Sequence, residues 1–276
     1  MLGAALALAP SAPAATQDTP LADVRTFALA LGNGTLRGDL STRYAAYDLV
    51  VIDGDDATPE EVAAVRAGGS KVLAYLSVGS IERWRSWAPK AIDYRMEPLA
   101  GWTGERYADT SKAGYRNLLV REVAPMLLRK GFDGLFLDNV DMIETHPRQR
   151  AGMFSLVRRL SAVTHTRSGR VVMAQNGADA IRPIVGALDA WNREDVTATW
   201  DGSHYRAVPS ARSREAQTEL RTMRRRGLLV TATDYTRTDG TTLARRAAAR
   251  ACAAGAIPFV SDIGLTRVPV QPLTCG

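Results

Sequence analysis

The stretch GLFLDNVD (134–141) runs apolar and then stops in two acids, Asp138 and Asp141, with Asn139 between them. A surface turn explains one such ending, because Asp and Asn are ordinary turn formers. The ending recurs, however. YDLVVID (47–53) closes in Asp53, KVLAYLSVG (71–79) carries Tyr75 and Ser77, and VVMAQN (171–176) closes in Asn176. LDAWNRE (188–194) holds Trp191 and ends in Glu194, LLVTATDY (228–235) ends in Tyr235, and IPFVSD (257–262) ends in Asp262. Two carboxyl groups across a sugar-sized gap are the equipment of a glycosidase. One attacks the anomeric carbon or activates water, and the other protonates the leaving oxygen. Asp138 and Glu194 stand on non-adjacent segments, which leaves room for a substrate between them. Crowding by Asp53 and Asp141 would raise the pKa of one carboxyl and keep a proton available for general-acid work. Tyr75, Trp191, Trp200 and Tyr235 would supply apolar platforms for sugar faces.

The segments that carry these residues are strand-like: FALALG (27–32), then 47–53, 71–79, 134–139, 171–176, 188–194, 228–235 and 257–262. Their continuous apolar and β-branched runs suit strands covered on both faces, as in a parallel sheet. Helical patterns at 59–67, 114–129, 148–164, 213–226 and 241–253 alternate with them. Thr58-Pro59-Glu60-Glu61 is a capping box with proline at the first helical position, and Gly227 and Gly255 stop the helices before the last two strands. Eight βα units in one domain, residues 21–276, predict a (β/α)8 TIM barrel. No Gly-rich GxGxxG loop follows the first strand, as a dinucleotide-binding open sheet would need. In a barrel all strand C-termini converge on one face. Strand alternation puts Leu49, Val51 and Asp53 on one side, and likewise Gly134, Phe136 and Asp138. Ala174 with Asn176, and Ala190 and Asn192 with Glu194, are paired the same way. The upper members of each set are then expected at the mouth.

Composition narrows the alternatives. The chain has 276 residues, 46% hydrophobic and 23% charged, with a formal charge of +6. Its arginines are scattered, and the densest run, RTMRRRG (221–227), reads as the end of an amphipathic helix where cations complement the dipole. With no aromatics interleaved among them, nucleic acid is not the expected partner. The start, MLGAALALAPSAPAA, is apolar and ends in small residues with an A-x-A pattern at 12–14, so residues 1–20 read as the remnant of an export signal. No other stretch approaches the ~20 apolar residues of a membrane span, and a secreted protein is expected. Cys252 and Cys275 suit that setting, where a disulfide would tie the C-terminal tail to the last helix. Two thiols and three histidines do not make a Cys/His zinc site, and no cofactor is called for.

Two other classes fit acids at strand ends. An enolase-type barrel would hold Mg²⁺ with three carboxylates, but it needs a Lys or His base on the same face. Lys71 starts its strand, Lys90 lies well past one, and Lys112 and Lys130 lie in or beside a helix. A barrel that binds a cationic sugar polymer without cutting it remains compatible with the same residues.

YDLVVIDGDD, KVLAYLSVGSIERWRSW, GFDGLFLDNVD, AQNG, NRED and IPFVSD resemble, in order and spacing, glycoside hydrolase family 114, the endo-α-1,4-polygalactosaminidase-like barrels. The resemblance runs from about residue 27 to 262. It implies a retaining hydrolase that cuts α-1,4-linked galactosamine or N-acetylgalactosamine polymers. It further implies Asp138 as nucleophile, Glu194 as acid/base, and Asp53, Tyr75 and Asn176 in the cleft. A deacetylated galactosamine carries an ammonium, which an acidic mouth attracts even on a basic protein.

Overall fold

A computed structural model of the chain describes residues 20–275. The run read as an export signal lies, apart from Pro20, outside the described residues. Eight parallel strands carry the architecture: β1 (Phe27–Ala30), β2 (Leu49–Asp53), β3 (Lys71–Ser77), β4 (Gly134–Asp138), β5 (Val171–Gln175), β6 (Ala190–Glu194), β7 (Leu229–Tyr235) and β8 (Ile257–Ser261). Each pairs with the next in chain order. Phe27 and Phe259 meet edge to face, ring centroids 5.9 Å apart, and so join the first strand to the last. The result is a nearly closed (β/α)8 TIM barrel, one domain, as the alternation of patterns predicts.

Helices form where the sequence supplies starts and stops. Thr58 and Glu61 cap Pro59–Ala67 reciprocally, each side chain bonded to the other's backbone N–H at 3.2 and 2.8 Å. Thr241 caps Thr242–Ala253 through the Ala244 amide. The stretch expected as one helix at 114–129 is three pieces, Ala113–Leu118, a π-turn at Leu119–Val123, and Ala124–Arg129. Pro125 explains the break: it has no N–H to give and its ring crowds the carbonyl four residues back, so the turn before it widens.

Not every strand is followed by a helix. Between β5 and β6 there is only a 3₁₀ turn, Arg182–Ala187. After β8 the chain runs as an irregular tail. It leaves β8 held by Ser261 Oγ on the Arg267 carbonyl (2.7 Å), takes the Tyr47 hydroxyl on the Pro269 carbonyl (2.6 Å), and ends in a disulfide between Cys275 and Cys252. Leu273 packs on Ala244, Ala247 and Val260. The tail thus covers the seam where an eighth helix would lie. Two excursions rise beyond the strand ends. One is an antiparallel sheet after β3, of Ser80–Glu82, Arg95–Pro98 and Glu105–Ala108; the other is a hairpin after β6, Ala198–Trp200 with Tyr205–Ala207. Their short, polar strands lack the hydrophobic runs that betrayed the barrel.

Registers fix which side chains meet at the mouth. Asp53 lies opposite Tyr75, Ser77 opposite Asp138, and Glu194 opposite Thr233. The lower barrel is filled by apolar residues that include Phe27, Leu29, Leu49, Leu73 and Phe136, all fully buried.

Candidate active site

Between this apolar floor and the mouth lies a polar layer. Asn192 of β6 accepts the hydroxyls of Thr231 and Thr233 of β7 on Oδ1, at 2.7 and 3.1 Å, and donates from Nδ2 to Gln175 Oε1 at 2.8 Å. Gln175 then donates from Nε2 to Asp138 Oδ1 at 3.0 Å. Each amide end has a partner of the right sense, so a buried network of uncharged groups presents an N–H to the carboxylate. Asp138 also accepts the Asn139 backbone N–H (2.7 Å), the Tyr75 hydroxyl (2.7 Å) and the Asn139 side-chain amide (3.2 Å). Burial pushes its pKa up, and the donors from Tyr75, Asn139 and Gln175 act the other way. The Tyr75 phenol is held well above its usual range, chiefly by burial, and so remains a donor.

Glu194 at the end of β6 is treated differently. It accepts from Asn176 Nδ2 at 2.8 Å and from the Tyr235 hydroxyl. Burial, and next the charge of Asp138, push its pKa up to about 7. Asp138 and Glu194 therefore feel each other across one mouth, the first surrounded by donors and the second poised to keep a proton. Burial raises both carboxyls, and they differ in the donors around them. Asp141 also rises to about 7, through burial and the charges of Asp138 and Glu144.

Several expected residues are placed otherwise than foreseen. Asn176 was paired with Ala174, but Gln175 is the β5 residue that enters the barrel. Asn176 reaches Glu194 because it adopts the left-handed conformation, φ 56°, and turns its side chain back over the mouth. Asn139 after β4 and Asp195 after β6 also adopt the left-handed conformation, with φ 57° and 54°. Trp191 is fully buried outside the barrel, its indole N–H on the Asn176 carbonyl at 2.8 Å, so it props the Asn176 turn and offers no sugar platform. Trp200 packs on Tyr205 within the hairpin, ring centroids 4.7 Å apart. Ser77 is buried and bonded to Ser80, without access to the mouth. The Asp262 carboxylate is taken up by Thr266, closing its own turn.

Asp53 carries the largest correction. Its carboxylate, expected to crowd the catalytic pair, is gripped by Arg85 Nη1 at 2.7 and 2.6 Å. Arg85 binds Glu82 through its other nitrogens and lies over the Tyr75 ring, 5.5 Å from the centroid. All three charges are buried. The pressure on Glu194 comes instead from burial, Asp138 and Asp195. Sequence reading passed over Glu82, Arg85, Glu105 and Gln175, and took Asn192 only as a lower member of the β6 set. Ser80, Glu82 and Arg85 do stand in the Arg/Trp-rich segment that follows AYLSVG, the signal that held them. For a Mg²⁺ site the arrangement is poor. Asp53 is neutralised by Arg85, and the Lys130 ammonium is held by the carbonyls of Gly54 and Asp55 at 2.9 and 2.6 Å. Among the described residues no group of three or more His, Cys, Asp or Glu side chains is spaced to hold a metal.

Known proteins share this fold. The glycoside hydrolase domain of PelA from Pseudomonas aeruginosa superposes with a TM-score of 0.75 at 25% identity, over 88% of this chain and 96% of that one. Ega3 of Aspergillus fumigatus, solved in complex with galactosamine, has a TM-score of 0.69 at 20% identity, over 87% of this chain and 92% of that one. An uncharacterized protein of Deinococcus radiodurans is 29% identical over 237 residues, 80% of this chain and 75% of its own length. The profile of glycoside hydrolase family GH114 matches residues 7–272, from before the first barrel strand to the tail that closes the seam. A barrel with two unequal carboxyls at its mouth and a family match along nearly its whole length lead to one conclusion: this chain belongs to glycoside hydrolase family GH114.

Proposed function

We propose that this glycoside hydrolase cuts α-1,4-linked galactosamine or N-acetylgalactosamine polymers with retention at the anomeric carbon. Asp138 is the nucleophile and Glu194 the acid/base. The observation that carries the assignment is the inequality of the two carboxyls: four hydrogen bonds converge on Asp138, whereas Glu194 accepts two and is pushed up to about 7. In the first step Glu194 gives its proton to the glycosidic oxygen while an Asp138 oxygen bonds to the anomeric carbon. In the second, Glu194 takes a proton from water, whose oxygen displaces Asp138. Retention calls for carboxyls about 5–5.5 Å apart. The substrate class is supported by the family resemblance and by Asp141 beside the pair, an acid that an ammonium-bearing sugar would help to ionise. Export is supported by the Cys252–Cys275 bond, since disulfides persist outside the cytosol.

The test is a polymer screen. Purified protein is incubated with deacetylated and acetylated galactosamine polymers, chitosan and galactan, and shortened oligomers are sought by mass spectrometry. Fragments from a galactosamine polymer, first released as the α-anomer in proton NMR, are expected. Products from chitosan or galactan alone would overturn the substrate class. Binding without product on every glycan would favour the non-catalytic reading.

A further inference from the structure

A second chain of hydrogen bonds reaches Asp138 from the excursion after β3, and it begins at a buried acid. Glu105, 7% exposed, accepts the Ser80 hydroxyl at 2.8 Å. Ser80 Oγ lies 2.8 Å from Ser77 Oγ, and Ser77 Oγ accepts the Ser80 backbone N–H at 3.1 Å and Asn139 Nδ2 at 3.0 Å. Asn139 Nδ2 is also the atom that faces Asp138.

The direction of every proton in this chain follows from its ends. Burial and the charge of Asp138 push the Glu105 pKa up, while the Ser80 hydrogen bond and Arg85 act the other way; in its ionised form the carboxylate only accepts, so Ser80 then donates to it. Ser80 Oγ is then left to accept from Ser77. With its proton used and one lone pair on the Ser80 amide, Ser77 has only a lone pair to offer Asn139. An amide facing a lone pair must turn its NH₂ toward it, and the same NH₂ then points at Asp138. The two ends of an Asn side chain have nearly the same shape, so packing alone does not choose between them. An ionised Asp138 favours the NH₂ end, and charge at Glu105 would hold that end in place when Asp138 carries a proton as well.

We propose that Glu105 is a positioning residue for the nucleophile, which sets the Asn139 side chain so that it shows Asp138 an N–H rather than a carbonyl oxygen. This rests on the reading of Asp138 as nucleophile. A flipped amide would face the carboxylate with a second negative oxygen and raise its affinity for a proton. Glu105 therefore acts through Ser80, Ser77 and Asn139, and touches neither substrate nor reacting atoms. The titratable and charged groups that face Glu105 are Asp138, Arg85, Glu82 and Tyr75.

Ser80→Ala and Glu105→Gln test the relay, read by the pH profile of kcat/KM on a galactosamine oligomer. Ser80→Ala removes a link without changing charge. Glu105→Gln removes a negative charge near Asp138, which by simple electrostatics would move the acid limb down. If the relay operates, both variants lose roughly tenfold in kcat/KM and both move the acid limb up by about one pH unit. The double variant goes no further than Ser80→Ala alone, because the two act through one path. An acid limb that stays put or moves down in either variant overturns the proposal. Asp138→Asn separates the two levels: if it keeps wild-type turnover, the parent reading has failed, whereas an inactive Asp138→Asn beside an unmoved acid limb sinks only the relay.

Discussion

On the proposed assignment, two carboxyls of the same chemistry take different roles from the groups placed around them. Glu194 holds its proton to about 7 because burial and Asp138 oppose its ionisation, while the hydrogen bonds of Tyr235 and Asn176 favour it. An acid must be protonated to act, so kcat/KM is expected to fall as pH rises through about 7. Tyr235→Phe deletes a donor that lowers this pKa, and should shift the basic limb upward; a downward shift would contradict the assignment. Stability follows the same sign. A folded pKa of about 7 against an ordinary 4.5 means a contribution fully present below the ordinary value and lost as pH rises through about 7. Glu194→Gln escapes that loss, so its gain in unfolding temperature over wild type should be larger at pH 8 than at pH 5. The sequence displayed both carboxyls because each ends an apolar run. It did not display their partners: Gln175 and Asn192 read as strand interior, and Arg85 neutralises Asp53 from an excursion 32 positions away.

At the scale of elements, three successive strands deliver their residues by one device. Asn139, Asn176 and Asp195 follow β4, β5 and β6 in the left-handed conformation, which Asn and Asp tolerate better than other non-glycine residues. This turn broke the simple alternation for Asn176, since period two holds only while the backbone stays extended. Gly79 shares in the arrangement. A Cβ there would stand 1.9 Å from the Asn139 carbonyl oxygen, so only glycine lets the loop after β3 lie against that turn. Gly79→Ala should cost about 1–3 kcal/mol in urea unfolding and reduce turnover by displacing Asn139. Gly186→Ala, with nothing within 4 Å of the added methyl, should change stability by no more than about 0.5 kcal/mol. Equal effects at the two positions would contradict this packing. The barrel strands and their helices were legible from periodicity. The excursion strands at 80–82, 95–98 and 105–108 were not, being short and rich in charge, yet they supply Glu82, Glu105 and the segment to Arg85.

At the scale of the whole molecule, no helix follows β8 among the described residues. The tail from Asp262 to Cys275 takes that place, and the Cys252–Cys275 bond encloses a sequence separation of 23 residues. Loop-closure entropy for that length corresponds to about 3 kcal/mol, so Cys252→Ser with Cys275→Ser, or reduction of the wild type, should lower the unfolding temperature by several degrees. Activity at 25 °C should persist, because the bond lies far from the mouth in sequence and in contacts. Unchanged thermal stability on reduction would show that packing of Leu273 and the Tyr47–Pro269 hydrogen bond hold the tail unaided. Everything in the barrel serves to bring residues 138 and 194, born on strands β4 and β6, to one opening. Turnover of Asp138→Asn and Glu194→Gln on a galactosamine polymer, followed by release of reducing ends, tests that most directly. Both variants should unfold no earlier than wild type and lose roughly a thousandfold or more in rate; near-wild-type turnover in either folded variant would contradict the assignment.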